Sequence, residues 1–405
     1  MPEAVIVSVA RSPIGRASKG SLVEMRPDDL TQQIVQAALN KIPQLDPHTI
    51  DDLLLGCAQP AGESGFNMAR IVAVMLGLDG VPGATVNRYC SSSLQTTRMA
   101  LHAIRAGEGD IFVSAGVETV SRYQFGNADG IAGTENQAFI ESRKLLDLAF
   151  SKDGTWSDPR EHGKMPDIYI SMGRTAENVA QYKNISRREQ DEFGVRSQNL
   201  AEAATANGFW ATDITPVVLA DGRVITQDDG PRKGVTLEAV SELKPVFKEN
   251  GTVTAGNCCS LNDGAAATII MSDTKARDLG IVPLARVVST GLSGLSPEIM
   301  GLGPVEASRR ALKNAGLTMS DVDLIEINEA FAAQVIPSAR DLEIDIHKLN
   351  VNGGAIAIGH PFGMTGARIT STLINSLKFH DKQFGLETMC VGGGQGMAMI
   401  LERLS

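Results

Sequence analysis

The chain has 405 residues, of which 43% are hydrophobic and 21% charged, and its formal net charge at pH 7 is −10. This balance is typical of a globular protein long enough for two or more hydrophobic cores. The acidic charge argues against nucleic acid as the main partner. The sequence contains no run of about 18 apolar residues, the length that predicts a membrane span. The N-terminus enters a strand without a signal-peptide pattern, and five cysteines lack the spacing of a zinc site. We therefore expect a cytoplasmic protein.

Strands and helices alternate along the first part of the chain. The continuous apolar run 5–10 is typical of a strand buried on both faces, and 28–39 has the spacing of an amphipathic helix. Farther along, the pattern predicts strands at 51–57, 84–86 and 111–116, and helices at 67–76 and 94–107. Such alternation indicates an α/β fold with a parallel or mixed sheet that helices cover on both faces.

Residues 121–250 break this alternation. The segment is rich in Gly, Asp and Ser, and it contains both tryptophans, Trp156 and Trp210. We interpret it as a large insertion that folds over a site and carries side chains that contact a ligand. The alternative is a structural lid or an oligomer contact without a ligand role. Within the insertion, 178–204 is predicted to be helical.

The alternation resumes at residue 251. A helix is predicted to begin at Gly303-Pro304 and to end at Gly316, since proline fits the first helical turn. The apolar run 324–327 is a strand that delivers Asn328 at its C-terminal end. Also predicted are a helix after 361 and two final strands, joined by a glycine loop, at 386–391 and 397–401.

A weak internal repeat relates the two ends of the chain. The sequence at 86–87, followed by a loop, a helix and a strand near 113, is matched by 351–352, followed by the same elements and a strand near 389. This repeat suggests two halves of one topology that face a shared centre. We divide the chain into an N-terminal half (1–120), the insertion (121–250), a return strand that completes the N-terminal half (251–273) and a C-terminal half (274–405).

Cys90 lies at the turn between a predicted strand and a helix that opens with small hydroxyl residues. Unpaired N–H groups and the positive end of the helix dipole favour a thiolate there. A free cysteine has a pKa of about 8.5, so this effect matters near neutral pH. The alternative is that Cys90 is only a small buried hydrophobic residue. Position alone suggests a nucleophile without proving one.

His360 and Cys390 lie in equally unusual settings. His360 stands between Gly359 and Pro361 in a glycine-dense loop, and a neighbouring imidazole can take the Cys90 proton and later donate to an oxyanion. The alternative for His360 is an ordinary core or surface histidine. Cys390 ends a strand before three glycines, which either present N–H groups to an anion or simply form a tight hairpin.

Two reactive cysteines and one histidine fit a two-step acyl transfer better than proteolysis. One thiolate takes the acyl group, and the second thiol moves a proton at the α carbon of the other thioester. Both steps develop charge on a thioester oxygen, which needs fixed donors. Asn328 is a candidate donor, directly or through a held water, and the alternative role of capping the helix expected at 330–332 does not exclude this one. No dinucleotide or Walker phosphate-binding motif occurs.

With these pieces placed, nearly the whole chain resembles the thiolases. The resemblance rests on five specific motifs in family order: the Cys90 segment, 252–257, 328–331, 359–361 and the glycine loop after Cys390. It implies a five-layered αβαβα fold made of two similar halves with a loop-domain insertion over the active site. It also implies a homodimer or homotetramer.

The resemblance assigns a role to each catalytic candidate. Cys90 would be the acylated nucleophile, His360 would activate it, and Cys390 would be the acid and base at the α carbon. The two oxyanion holes of the family would be His360 with a water held by Asn328, and the N–H groups of Cys90 and Gly392.

Coenzyme A (CoA) would enter along the loop domain as a co-substrate. Met172, Phe247, Ala255 and Phe331 fall where the family lines the pantetheine channel, and Arg232 falls where the family meets the nucleotide end. The resemblance implies no metal and no tightly bound cofactor.

Three positions depart from the family pattern. Where this chain has Cys259, many thiolases have a serine that often touches CoA. Where this chain has Ser171, before Met-Gly, some short-chain members have a histidine. In the segment after His360, Phe362 and Met364 replace the familiar leucine and alanine. The first two changes affect individual CoA contacts, and the last affects the acyl pocket.

The activity implied is CoA-dependent cleavage of a 3-oxoacyl-CoA to acetyl-CoA and a shortened acyl-CoA, in the oxidation of fatty acids or side chains. Biosynthetic condensation of two acetyl-CoA molecules is the close alternative. A decarboxylating condensing enzyme and a non-catalytic acyl-CoA-binding protein are the remaining alternatives, and Cys390 before the glycine loop speaks against the former.

Overall fold

The structure is a computed structural model, and it describes residues 2–125, 133–151 and 154–405. The strand predicted at 5–10 is confirmed and is buried along its whole length. The strands predicted at 51–57 and 111–116 are confirmed as well, and the latter runs on to Thr119. The strands of the described residues are β1 (Ala4–Arg11), β2 (Gly15–Arg16), β3 (Asp52–Gly56), β4 (Gly83–Val86), β5 (Ile111–Thr119), β6 (Val217–Val218), β7 (Val224–Ile225), β8 (Asn262–Ser272), β9 (Ala285–Gly294), β10 (Leu324–Ile327), β11 (Phe384–Val391) and β12 (Gln395–Arg403).

The helices agree with the sequence pattern except in the insertion. The helix predicted at 178–204 is wrong as a single element, because Asn184 adopts φ 52° and the second helix begins at a capping box between Ser186 and Glu189. The α-helices of the described residues are α1 (Pro27–Asn40), α2 (Met68–Met75), α3 (Ser92–Ala106), α4 (Ile140–Ala149), α5 (Met172–Tyr182), α6 (Arg187–Ala206), α7 (Phe209–Asp213), α8 (Leu237–Ser241), α9 (Asp273–Asp278), α10 (Gly303–Ala315), α11 (Ala332–Asp341), α12 (Ala355–Ile358) and α13 (Thr365–Phe379).

One mixed sheet connects the two ends of the chain in the order β10-β11-β12-β9-β1-β8-β5-β3-β4. β3 is parallel to β4 and β5, and β10 is parallel to β11 and to a bridge at Leu349. The strands β1 and β9 meet antiparallel at the centre. The two halves therefore repeat the same strand order, as the internal repeat predicts.

Alternating side chains divide each half of the sheet between two cores. Leu53 and Leu55 of β3 face a core that they share with α1 and α2, whereas Leu54 faces a second core that holds α3 and α13. In the middle layer α3 packs on α13, where Gly366 lies directly against the backbone of Leu94. A third core places α10 and α11 on the outer face of the second half. The five-layered αβαβα fold is confirmed.

The segment between β5 and β8 folds onto the C-terminal half. Its helices α5 and α6 pack against α11 and α12. The buried Trp156 donates a hydrogen bond to Glu298 at 2.6 Å, which connects the insertion to the segment before α10. No helix in the described ranges has the length and apolar character that crossing a bilayer requires.

Candidate active site

Cys90 lies between strand and helix, as the sequence predicts. After β4 the chain makes one 3-10 turn over Tyr89–Ser91, and α3 begins at Ser92. Tyr89 adopts φ 44°, a left-handed conformation that costs on the order of 1–3 kcal/mol for a non-glycine residue. Hydrogen bonds hold this turn: Tyr89 N donates to Asn87 Oδ1 at 2.8 Å and Ser92 Oγ donates to Tyr89 O at 2.6 Å. The cysteine is thus fixed in a strained turn ahead of the helix.

The expectation of a thiolate at Cys90 is wrong for this unliganded arrangement. Burial raises the pKa of the Cys90 thiol to about 12, although a hydrogen bond from the Gly392 N–H lowers it. The negative charge of Glu118 raises the pKa further. Desolvation outweighs the backbone donors here, because the thiol is enclosed rather than presented to solvent. A neighbouring base is therefore needed to remove the proton.

His360 is held by its backbone and by its ring. Gly359 before it has φ 113°, and a Cβ there would lie 2.7 Å from the Asn262 side chain. The His360 N–H donates to Asn262 Oδ1 at 3.0 Å. The ring atom Nδ1 lies 2.6 Å from Thr365 Oγ1, whose hydroxyl donates to Pro361 O at 2.7 Å. Since that hydroxyl has one proton, Nδ1 is the donor to Thr365 and Nε2 carries the free lone pair.

The His360 imidazole is uncharged in this environment. Burial, followed by the positive charge of Arg368, lowers its pKa to about 3. Asn328 faces the same ring, with Nδ2 3.3 Å from Nε2 of His360. Arg368 Nη2 donates to Asn328 Oδ1 at 3.3 Å, and Gln334 Nε2 donates to Asn328 O at 2.7 Å. These contacts direct the amide N–H of Asn328 toward the histidine.

The alternative that Asn328 caps a helix is wrong. α11 begins at Ala332, with Phe331 in the N-cap position. Asn328 instead follows the last residue of β10 and bonds Thr388 O of the neighbouring strand through its backbone N–H. The asparagine side chain is therefore available to the site.

Cys390 lies in β11 opposite Gly396, just before the glycine hairpin. Burial, and then the proximity of the ionisable Cys90, raise the pKa of Cys390 above its ordinary value. The tight hairpin is confirmed, because Gly393 and Gly394 form its turn, and the Gly392 N–H bonds the Cys90 sulfur. The hairpin brings the two cysteines together.

A cavity of about 290 Å³ opens onto Cys90. Its described walls include Tyr89, Met172, Phe362 and Gly392. His360 stands directly behind the wall, since its ring meets that of Phe362 edge-on at 5.2 Å between centroids. The cysteine, the hairpin and Phe362 of the histidine loop thus line one cavity, from both halves of the fold.

The residues predicted to contact CoA fall into two groups. Met172 lines the cavity, Phe247 meets Phe331 edge-on at 6.1 Å, and Phe331 packs in the same cluster as Cys390. Cys259 is near enough to both Cys90 and Cys390 for their charges to raise its pKa, after the larger effect of burial.

The other predicted contacts lie at the surface rather than in the cavity. Ser171, Arg232 and Ala255 are exposed. The backbone N–H of Arg232 donates to Gln198 at 3.0 Å, and nearby Gly230 packs against Ala357 beneath the histidine loop.

Two supporting residues escaped the sequence patterns. Thr365 fixes the His360 tautomer. The sequence feature that could have indicated this residue is its position five residues after the histidine, next to a glycine. Buried Glu118 accepts hydrogen bonds from Ala58 N and Gly363 N, each at 2.9 Å, and so connects two walls of the cavity. No local pattern marks that carboxylate.

Comparison with known proteins agrees with this geometry. The family model described as the thiolase N-terminal domain matches residues 4–274, and that of the thiolase C-terminal domain matches residues 281–403. A 3-ketoacyl-CoA thiolase of Bacillus subtilis is 44% identical over 99% of this chain and 100% of that protein. An Escherichia coli 3-oxoadipyl-CoA/3-oxo-5,6-dehydrosuberyl-CoA thiolase is 43% identical over 100% of both chains.

Other relatives are named acetyl-CoA acetyltransferases. An acetyl-CoA acetyltransferase of Cupriavidus necator is 42% identical over 100% of both chains. The crystal structure of the Bacillus anthracis acetyl-CoA acetyltransferase superposes with a TM-score of 0.85 at 36% identity, covering 100% of this chain and 99% of that one. The chain belongs to the thiolase family, and it is an acyltransferase.

Proposed function

We propose that the protein is a degradative thiolase, which uses CoA to cleave a 3-oxoacyl-CoA into acetyl-CoA and a shortened acyl-CoA. The observation that carries this proposal is a cavity lined by Cys90, with Cys390 close to that cysteine and the His360 ring behind Phe362 of the cavity wall. The name of the Bacillus subtilis relative, a 3-ketoacyl-CoA thiolase, supports the degradative direction. The pathway would be the oxidation of fatty acids or of other side chains.

The first step forms the acyl-enzyme. Cys90 passes its proton to Nε2 of His360, and its sulfur attacks the 3-oxo carbon of the substrate. The bond between the α carbon and the 3-oxo carbon then breaks, which leaves the acyl group on Cys90 and an acetyl-CoA enolate. Cys390 protonates that enolate at the α carbon. Its thiol supplies the proton that water would otherwise provide.

The second step transfers the acyl group to CoA. Cys390, now a thiolate, takes the proton of the incoming CoA thiol, and the CoA sulfur attacks the thioester on Cys90. The Cys90 sulfur leaves and recovers its proton from His360. The N–H groups of Cys90 and Gly392, and His360 with a water held by Asn328, would each stabilise an oxyanion.

We expect Thr365→Val to lower kcat for thiolysis about tenfold, because general-base catalysis depends on which ring nitrogen is free. The valine keeps the volume of the side chain but cannot accept the Nδ1 proton, so the wrong tautomer becomes populated. Steady-state thiolysis measures the effect, which should fall on kcat with KM little changed.

Thr365→Ser restores the hydroxyl and is expected to recover most of the lost rate. The matched control is Thr372→Val on the same helix, whose hydroxyl bonds Asp213 at 3.2 Å rather than the histidine. If Thr365→Val and Thr372→Val reduce kcat equally, Thr365 has only a structural role.

CoA would bind through the residues at the mouth of the cavity. Met172, Phe247 and Phe331 offer an apolar channel for pantetheine, and Ala255 would line its outer part. Exposed Arg232 would meet the phosphates and supply positive charge that the chain as a whole lacks. Ser171 and Cys259 would make the contacts at which this chain departs from other thiolases.

The assembly we propose is a cytoplasmic homodimer or homotetramer. β4 ends the sheet with an open edge, and none of its four residues is buried in the single chain. An open edge strand beside the active-site turn is a natural pairing surface for a second copy. We also retain the division at 120, 250 and 273 as a proposal for the two halves, the loop domain and the return strand.

The test of the proposed function is kcat/KM for thiolysis across 3-oxoacyl-CoA substrates of increasing chain length. A degradative enzyme should cleave several of them and prefer chains longer than acetoacetyl. A strict preference for acetoacetyl-CoA would favour the biosynthetic alternative, which the Cupriavidus necator relative supports by its name. Release of CO₂ from malonyl-CoA, or binding of acyl-CoA without turnover, would overturn the thiolase proposal.

A further inference from the structure

The cavity at Cys90 has an uneven lining. Three aromatic rings and two isoleucines are among its described lining residues, and of those residues Glu135 alone carries a formal charge. The Glu135 side chain is about half exposed, at 49%. An acyl group that extends from Cys90 into this space would therefore meet apolar surface and one carboxylate. The aromatic and aliphatic members are Tyr89, Tyr169, Phe362, Ile168 and Ile170.

The cation that pairs with Glu135 also pairs with a second carboxylate. Arg143 forms ion pairs with both Glu135 and Asp167, and its guanidinium lies 5.7 Å from the centre of the Tyr169 ring. One positive charge is thus shared between two negative charges. Arg88, although close to Cys90 in sequence, directs its guanidinium to Gln395 at 2.9 Å.

A second acid lies behind the opposite wall. Glu118 is fully buried and bonds the backbone of Ala58 and Gln59, both of which line the cavity. Two carboxyl groups, Glu135 and Glu118, therefore adjoin the cavity. A carboxylate brought into this space would lose its hydration and meet Glu135, whose cation partner Arg143 is already shared with Asp167, so the transfer is unfavourable.

We infer that the site selects acyl chains with an uncharged far end and that Glu135 discriminates against chains that end in a carboxylate. This inference rests on the proposed thiolytic function. Family membership does not decide the matter, since one relative at 43% identity is named for 3-oxoadipyl-CoA, whose acyl chain ends in a carboxylate. The groups around this chain's own cavity decide it.

The experiment compares two substrates of equal chain length, 3-oxohexanoyl-CoA and 3-oxoadipyl-CoA, which differ at the far end of the acyl group. For the wild-type protein we expect kcat/KM to favour the uncharged chain at least about a hundredfold, the scale of burying an unpaired charge. Glu135→Gln removes the repulsion and leaves Arg143 paired with Asp167 alone, so the ratio should narrow about fivefold to tenfold. Most of that change should come from 3-oxoadipyl-CoA, and it should shrink at high salt.

The matched control is Glu141→Gln. Glu141 also lies in the insertion and pairs with a cation, Lys164 at 2.7 Å, but it does not line the cavity. Equal ratios for Glu135→Gln and Glu141→Gln would overturn the role of Glu135. Equal cleavage of both substrates by the wild-type protein would overturn the selection itself.

Acetoacetyl-CoA distinguishes the thiolase function from the selection against a terminal carboxylate. Its short acyl group carries no extended far end on which that selection could act. Cleavage of acetoacetyl-CoA together with a substrate ratio near one would refute the inference about charge and leave the thiolase function standing. If none of the three substrates is cleaved, both are refuted.

Discussion

Cys90→Ala is expected to reduce thiolysis by at least about 10⁴-fold, because no other group can carry the acyl intermediate. The cysteine sits in a strained turn that ties its sulfur to the Gly392 N–H, and the neighbouring Cys390 is more deeply buried. The measurement is the stoichiometry of covalent label after incubation with radiolabelled acetyl-CoA. One acyl group per chain is expected for the wild-type protein and none for the variant.

The matched control for this change is Cys258→Ala. Cys258 is a free cysteine that does not line the cavity, and its substitution should leave the labelling at one per chain. Retention of label in Cys90→Ala, mapped by peptide mass spectrometry to Cys259 or Cys390, would move the nucleophile to that residue.

Cys390→Ala is expected to separate the two halves of the reaction. Acylation of Cys90 by acetyl-CoA should persist, because His360 still takes the Cys90 proton. Exchange of the acetyl-CoA methyl protons with deuterated water should be lost, and thiolysis should fall about 10²- to 10⁴-fold, the usual contribution of a positioned acid and base. Proton NMR follows the exchange, and labelling of Cys90 follows the acylation.

The pKa of Cys390 explains why its thiol is suited to this role. Burial holds the group protonated in the resting site, so it can donate to an enolate and becomes a base only after that donation. Normal exchange of the methyl protons in Cys390→Ala would refute this role. Loss of acylation as well would mean that Cys390 also supports the nucleophile.

Much of the fold was accessible from the sequence because its signals are local. The apolar run of β1 and the Pro and Gly at the ends of α10 each mark their element without help from distant residues. The helix expected at 178–204 failed because a left-handed Asn184 and a capping Ser186 interrupt an otherwise continuous pattern. At that point the residues that favour a turn ended the helix, although the apolar spacing continued.

The site was accessible only in part. Cys90, His360 and Cys390 stand in unusual local settings, so sequence reasoning could single them out. The protonation state of Cys90 could not be obtained in that way, because local backbone donors argue for a thiolate and only tertiary packing reveals the burial that opposes it. Glu118 lies between loops far apart in sequence, and nothing near it along the chain indicates that contact.

The most direct test of the shared site is a crystal structure of Cys390→Ala soaked with acetyl-CoA. This variant should trap the acyl-enzyme, because the step that needs the α-carbon base is blocked. We expect an acetyl thioester on Cys90 with its oxygen facing the N–H groups of Cys90 and Gly392, and His360 Nε2 within hydrogen-bond reach of the reacting atoms. An acetyl group on another side chain, or a His360 ring remote from the thioester, would contradict the account.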